Sequence, residues 1–136
     1  MIQAIADSSA LVRALRAGGR LAEMSRRWRE EGRLAICEPV RLEILRGARS
    51  GPDAVEIDAA LDRWVTLPTD AEAWRLARRT LVQLAHLRGG RHRGPSLADV
   101  VVAATAERHG VAVLHDDSDF EVIAQVTGQP VLRVGA

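Results

Sequence analysis

The sequence contains no lysine: all 19 basic side chains are arginine. That excludes a phosphate-binding loop ending in Gly-Lys-Ser/Thr, Schiff-base catalysis, and a receiver-type phosphoacceptor pocket with its lysine. Cysteine is nearly absent too. The single Cys37 can form no internal disulfide and no cysteine-based zinc cluster. Aromatic residues are few: Trp28, Trp64, Trp74 and Phe120 are the whole set. They argue against a base-stacking surface of the kind that reads single-stranded RNA, and their helical contexts favour packing. No apolar run approaches the ~18–20 residues of a membrane span. No basic n-region leads into an apolar stretch and cleavage site. The expectation is a soluble, cytoplasmic chain with no membrane partner.

What is present fits one domain. The chain has 136 residues, 47% of them hydrophobic, and a formal charge of +1. This is apolar enough to exclude disorder and too balanced to announce a nucleic-acid binder by bulk charge. Residues 1–136 are therefore expected to form a single domain.

Short apolar stretches alternate with amphipathic ones. Strands are expected at 1–6, 34–37, 111–114 and 131–134, with a further short one at 65–67. Helices are expected after Asp7, over 20–31, from Glu38 to Gly47, over 54–63, from about Thr69 to Arg88, from Ser96 to His109, and from Ser118 to about Val126. Ala10, Leu11, Ala14 and Leu15 give the first helix its apolar stripe, and Gly18-Gly19 breaks it. Thr69 and Glu72, like Ser118 and Glu121, have capping-box spacing. Alternation of this kind implies an α/β fold whose parallel sheet is covered on both faces. Ligands in such sheets bind beyond the carboxyl ends of the strands.

The acidic residues fall at those places. Asp7 follows the first strand directly, and Asp116, Asp117 and Asp119 follow the 111–114 strand. Taken singly, Asp7 and Asp117 also read as helix caps. Asp99 is the only charged residue between Ser96 and Ala106, in a helix apolar nearly all round. It either completes a capping box three residues after Ser96 or belongs to a site. Glu43 reads alone as a surface partner of Arg46. It stands about 140° around the helix from Glu38, so the two glutamates face different ways.

Carboxylates converging from separate segments repel one another and are stable together only with cations. All-oxygen ligands select Mg²⁺, with Mn²⁺ as a substitute. A cation so held serves phosphodiester cleavage by lowering the pKa of water and neutralising transition-state charge. His86, His92, His109 and His115 are scattered and offer no zinc spacing. His115, just before the acidic run, reads either as an orienting group or as a packed histidine.

Four segments carry a resemblance. They are Ile5-Ala6-Asp7-Ser8-Ser9-Ala10-Leu11, then Glu38 through Leu45, then His92 through Ala106, then Val113-Leu114-His115-Asp116-Asp117-Ser118-Asp119-Phe120. In order, spacing and total length the chain resembles PIN-domain ribonucleases, and more closely the VapC toxins of VapBC toxin–antitoxin pairs. The resemblance implies a PIN-like three-layer sandwich with a central parallel sheet flanked by helices. It implies a Mg²⁺-dependent endoribonuclease acting as a toxin. Its catalytic acids fall on Asp7, Glu43, Asp99 and Asp117, and its metal ligands on Asp7, Asp99, Asp117 and Asp119. Ser8 or Ser9 matches the hydroxyl residue after the first acid, with Ser9 and Asp116 as supporting residues. The triplet 116, 117, 119 leaves the fourth ligand open by one or two positions. The resemblance also implies a homodimer and a VapB-like antitoxin whose tail enters the acidic groove.

Arginine is unevenly spread. Residues 13–49 hold ten arginines against five acids; residues 94–136 hold two against six. A solvated helix face explains such clusters as well as an RNA track does. Arg46, and Arg91 and Arg93 in the loop Arg88-Gly89-Gly90-Arg91-His92-Arg93, are the candidate RNA contacts, toward tRNA or another structured RNA. Three other readings compete. A phosphohydrolase with nucleophilic Asp7 would want a second Asp at position 9, which is Ser. The others are a non-catalytic RNA- or partner-binding module and a housekeeping RNA-processing nuclease.

Overall fold

The computed structural model describes residues 1–17, 19–87 and 89–134. Gly18, expected as a helix breaker, and Arg88, expected in the basic loop, lie outside the described residues. So do the side chains of Ala14 and Leu15.

The strands are β1 (Ala4–Ala6), β2 (Leu34–Ala35), β3 (Ala112–His115) and β4 (Val131–Arg133). The helices are α1 (Ser8–Ala17), α2 (Gly19–Glu30), α3 (Glu38–Arg46), α4 (Gly51–Leu61), α5 (Ala71–His86), α6 (Leu97–His109) and α7 (Asp119–Thr127). The sheet order is β2-β1-β3-β4 and every pairing is parallel. The helices flank this sheet, as the three-layer expectation requires.

The order places a switch point between β1 and β3. From β1 the chain moves outward one way to β2, then returns across β1 to β3 on its other side. Such a reversal opens a crevice at the carboxyl ends of the two central strands. The register is Ala4↔Ala112, Ile5↔Val113, Ala6↔Leu114, and the Asp7 amide continues it by donating to the Leu114 carbonyl at 2.9 Å. The residues after Ala6 and after Leu114 are thereby neighbours.

Burial explains the strand composition. Ile5, Ile36, Val113 and Phe120 are fully buried in one cluster with Val40, Leu84 and Val102. Each large apolar side chain so buried contributes roughly 1.5–3 kcal/mol. Helix α6 lies against β1, β3, α3, α5 and α7, which is why its residues 102–106 are all buried. It ends where Gly110 takes φ +67°, a left-handed turn that a side-chain-bearing residue would adopt only with strain.

Several local expectations are corrected. Helix α4 begins at Gly51, with Ser50 capping it by accepting the Asp53 amide at 3.2 Å. The cap of α5 is Asp70, which accepts the Ala73 amide at 3.0 Å; the Thr69 hydroxyl instead meets that of Thr105 at 2.9 Å. Ser118 makes no side-chain cap for α7. Residues 65–67 form a single parallel bridge, Ile36↔Thr66, and not a strand. Among the described residues no helix is long and apolar enough to cross a membrane.

Candidate active site

Asp7 sits where β1 hands over to α1 and is 1% exposed. Its two oxygens have different environments. Oδ2 accepts from the Ser9 amide at 3.0 Å and the Ser9 hydroxyl at 2.6 Å, an N-cap arrangement. Oδ1 is buried with no partner. The capping role and the site role therefore coexist, one oxygen each. Ser9 is the sequence-expected support: its Oγ also accepts the Asp116 amide at 2.9 Å, tying the β1 exit to the β3 exit.

Asp99 lies in the first turn of α6. Its amide donates to Ser96 Oγ at 3.1 Å, half of a capping box. The carboxyl joins the cluster. Burial pushes it up to about 8, and the charges of Asp7 and Asp117 add to that. Glu43, on α3, is partly buried with Oε1 unpartnered. Burial raises it first and the charge of Asp7 second, against a hydrogen bond from Ser8. The surface ion pair expected between Glu43 and Arg46 is not among the ion pairs of the described residues.

The β3 exit supplies the rest. Asp117 Oδ1 accepts the Asp119 amide at 2.9 Å, which starts α7 in place of the Ser118 box. The Asp119 carboxyl is raised by burial and by Asp117, and lowered by the Ser96 amide and Asp99. Asp116 turns to a different partner. Arg13 Nη1 donates to its Oδ2 at 3.0 Å, and Arg133 Nε stands 3.7 Å from Oδ1. The ambiguity of the acidic triplet is thereby narrowed: 117 and 119 face the cluster and 116 is held by arginine.

Carboxylate oxygens of Asp7, Glu43 and Asp99 come within 4.8 Å of one another, as do those of Asp99, Asp117 and Asp119. Asp99 belongs to both trios. They line a cleft of about 440 Å³ with Ser8, Ser9, Val12, Ser96 and Asp116, and no arginine lines it among the described residues. Buried, unpartnered oxygens in an all-carboxylate set fit a hard divalent cation, which is what would relieve their repulsion. The two trios can hold metal; without one, burial and the charges of Asp7 and Asp117 favour the protonated form of Asp99.

The arginine expectations fare unevenly. Arg46 lines a second hollow that shares Glu43 with the cleft. Arg91 and Arg93 are exposed and do not line the cleft. Sequence reasoning missed Arg13 and Arg133, because nothing local links position 13 or 133 to 116. It also left undecided the fully buried His115, whose Nδ1 accepts the Asp117 amide at 3.2 Å. Burial lowers the pKa of that imidazole.

Known proteins resemble this chain in sequence and in fold. Residues 4–126 match the PIN domain. Ribonuclease VapC18 of Mycobacterium tuberculosis is 39% identical over 111 residues, covering 79% of this chain and 81% of that one. The DNA-bound VapBC of Salmonella typhimurium superposes with a TM-score of 0.76 at 19% identity, covering 98% of both chains. VapBC-5 of Mycobacterium tuberculosis, a member of the VapBC family of toxin–antitoxin systems, gives 0.68 at 19% identity, covering 98% of this chain and 100% of that one. The chain therefore belongs to the PIN-domain family, and within it to the VapC ribonucleases.

Proposed function

We propose that this chain is a Mg²⁺-dependent endoribonuclease and the toxin of a type II toxin–antitoxin pair. The observation that carries the reading is the convergence of Asp7, Glu43, Asp99, Asp117 and Asp119 on one cleft that no arginine enters among the described residues. Asp7, Asp99, Asp117 and Asp119 would hold the cation, and Glu43, with its unpartnered buried oxygen, stands ready to take or place a proton on water. When bound, a divalent cation supplies positive charge for the scissile phosphate and acidifies water. Ser9 holds Asp7 Oδ2, leaving Oδ1 toward the site. Arg46, beside Glu43, is the arginine placed to meet RNA phosphate; Arg91 and Arg93 would act further along the strand. A module without chemistry would gain nothing from carboxylates held against their mutual repulsion.

The same geometry supports two partner surfaces. A hollow lined by Ser8, Val12, Glu43, Ile44, Arg49 and Ile57 adjoins the cleft. It shares Ile44 and Ile57 with an apolar hollow beside Leu11, Leu61 and Trp64. An apolar segment followed by a cationic tail would follow that path into the acids, which supports a VapB-like antitoxin. Leu42, Trp74 and Leu97 are exposed around the hollow that holds Glu38 and Arg46. This supports a homodimer.

The test is cleavage of structured RNAs by purified protein with Mg²⁺, with chelator, and as Asp99→Asn. Cleavage in the first condition alone is expected. Cleavage persisting in chelator or in the variant would sink the metal reading, and RNA binding without cleavage would favour a binding module.

A further inference from the structure

His115 closes β3 and is 0% exposed, its ring tilted against Phe120 with centroids 5.3 Å apart. Because Nδ1 accepts the Asp117 amide, the ring proton sits on Nε2, and Nε2 is buried with no partner. A stranded buried donor is a liability that Leu or Phe in the same space would not carry. The histidine is therefore poorly explained by packing alone. Its useful atom is the acceptor. Three of the four backbone amides from 116 to 119 are held by side-chain acceptors. The Asp116 amide goes to Ser9 Oγ, the Asp119 amide to Asp117 Oδ1, and the Asp117 amide to His115 Nδ1. The first two acceptors belong to the cleft. The third reaches in from the core and is the only one that anchors Asp117's own peptide.

We propose that His115 is a positioning residue for Asp117: Nδ1 pins the Asp117 peptide so that its carboxylate enters the cleft beside Asp99 and Asp119. It touches neither substrate nor cation and acts through the backbone it holds. The inference rests on the reading of Asp117 as a cation ligand. Groups that orient metal ligands in this way typically change metal affinity by ~10–100-fold when removed.

The experiment is Mn²⁺ binding to the purified protein, read by electron paramagnetic resonance, with thermal melting in chelator alongside. His115→Leu keeps apolar volume and removes the acceptor; His115→Asn returns an amide oxygen near the place of Nδ1. His115→Leu is expected to melt in chelator at or above the wild-type temperature, yet to bind Mn²⁺ at least ~10-fold more weakly. His115→Asn is expected to recover most of that loss. Wild-type affinity in His115→Leu, or equal weakening in both variants, overturns the assignment. If His115→Leu does not fold, His115→Asn decides alone: near-wild-type affinity supports the assignment and a ~10-fold loss overturns it. Nitrogen NMR of the wild-type imidazole gives a reading independent of any variant. The Nε2–H tautomer supports the assignment and the Nδ1–H tautomer overturns it. If the wild-type protein binds no Mn²⁺, the cation reading of the cleft falls and takes this assignment with it.

Discussion

The acids on the outer helices and the acids in the cleft are the same side chains in opposite settings. Outside, Glu72 meets Arg75 at 2.6 Å and Glu31 meets Arg27 at 3.0 Å, and both carboxyls are held below their ordinary values by those arginines. Asp70 is lowered by the Ala73 amide and by Arg108. Inside, Asp99, Glu43 and Asp119 are all raised, first by burial and then by other acids. The chain has 19 arginines with which to relieve that repulsion, and among the described residues none lines the cleft. Ion pairing is therefore the default for acids in this fold, and the cleft is a maintained exception. A cation from outside the chain would supply the charge missing there.

The largest expected effect breaks the exception directly. Asp99→Asn removes the carboxylate common to both trios, so RNA cleavage should fall by more than the ~10–100-fold typical of merely supporting groups. Initial-rate assays on a structured RNA check this. Next comes the contrast within the triplet. Asp117→Asn should weaken Mn²⁺ binding at least ~10-fold. Asp116→Asn, which loses only its contacts to Arg13 and Arg133, should leave that affinity near wild type. Titration of both variants sharpens the boundary between cleft and rim.

A smaller effect separates the two classes by pH. The folded Asp99 carboxyl sits at about 8, against ~3.9 for an unfolded aspartate. Between those values the folded state keeps a proton that the unfolded state releases. The metal-free protein should therefore lose stability as pH rises from about 4 to about 8, then level off. Asp99→Asn should flatten that slope. The outer acids run the other way: their folded values are lowered, so their contribution is present at neutral pH and is lost as pH falls through those values. Melting scans in chelator across pH read both trends. The smallest effect is expected for Glu72→Gln, an exposed pair whose loss should move the melting temperature by no more than ~2 °C and leave cleavage unchanged.

Much of this was legible in the chain. Asp7 and the 116–119 run follow strands, and Asp99 stands alone in an apolar helix, so their meeting at the strand ends follows from a parallel sheet. The four segments in order brought Glu43 in as well, which its own surroundings did not. Local caps were less legible because acceptors compete. Asp70 outdid Thr69, and Asp117 outdid Ser118, since either candidate satisfies the same orphan amides. Long-range partners were not legible at all. The clasp of Arg13 and Arg133 on Asp116 exists only because α1 and β4 both border the β3 exit, which is a consequence of sheet order. The basic loop showed the reverse error: Arg91 and Arg93 precede Asp99 in sequence, yet they do not line its cleft.

Asp7, Glu43, Asp99, Asp117 and Asp119 line the cleft without an arginine ion pair among the described residues, and a divalent cation is the partner proposed for them. The most direct test is the melting temperature of the wild-type protein and of Asp99→Asn, each in chelator and in excess Mn²⁺ at pH 8. The predicted result is a clear upward shift with Mn²⁺ in the wild type and little or none in the variant. Equal shifts in both proteins, or none in the wild type, would contradict it.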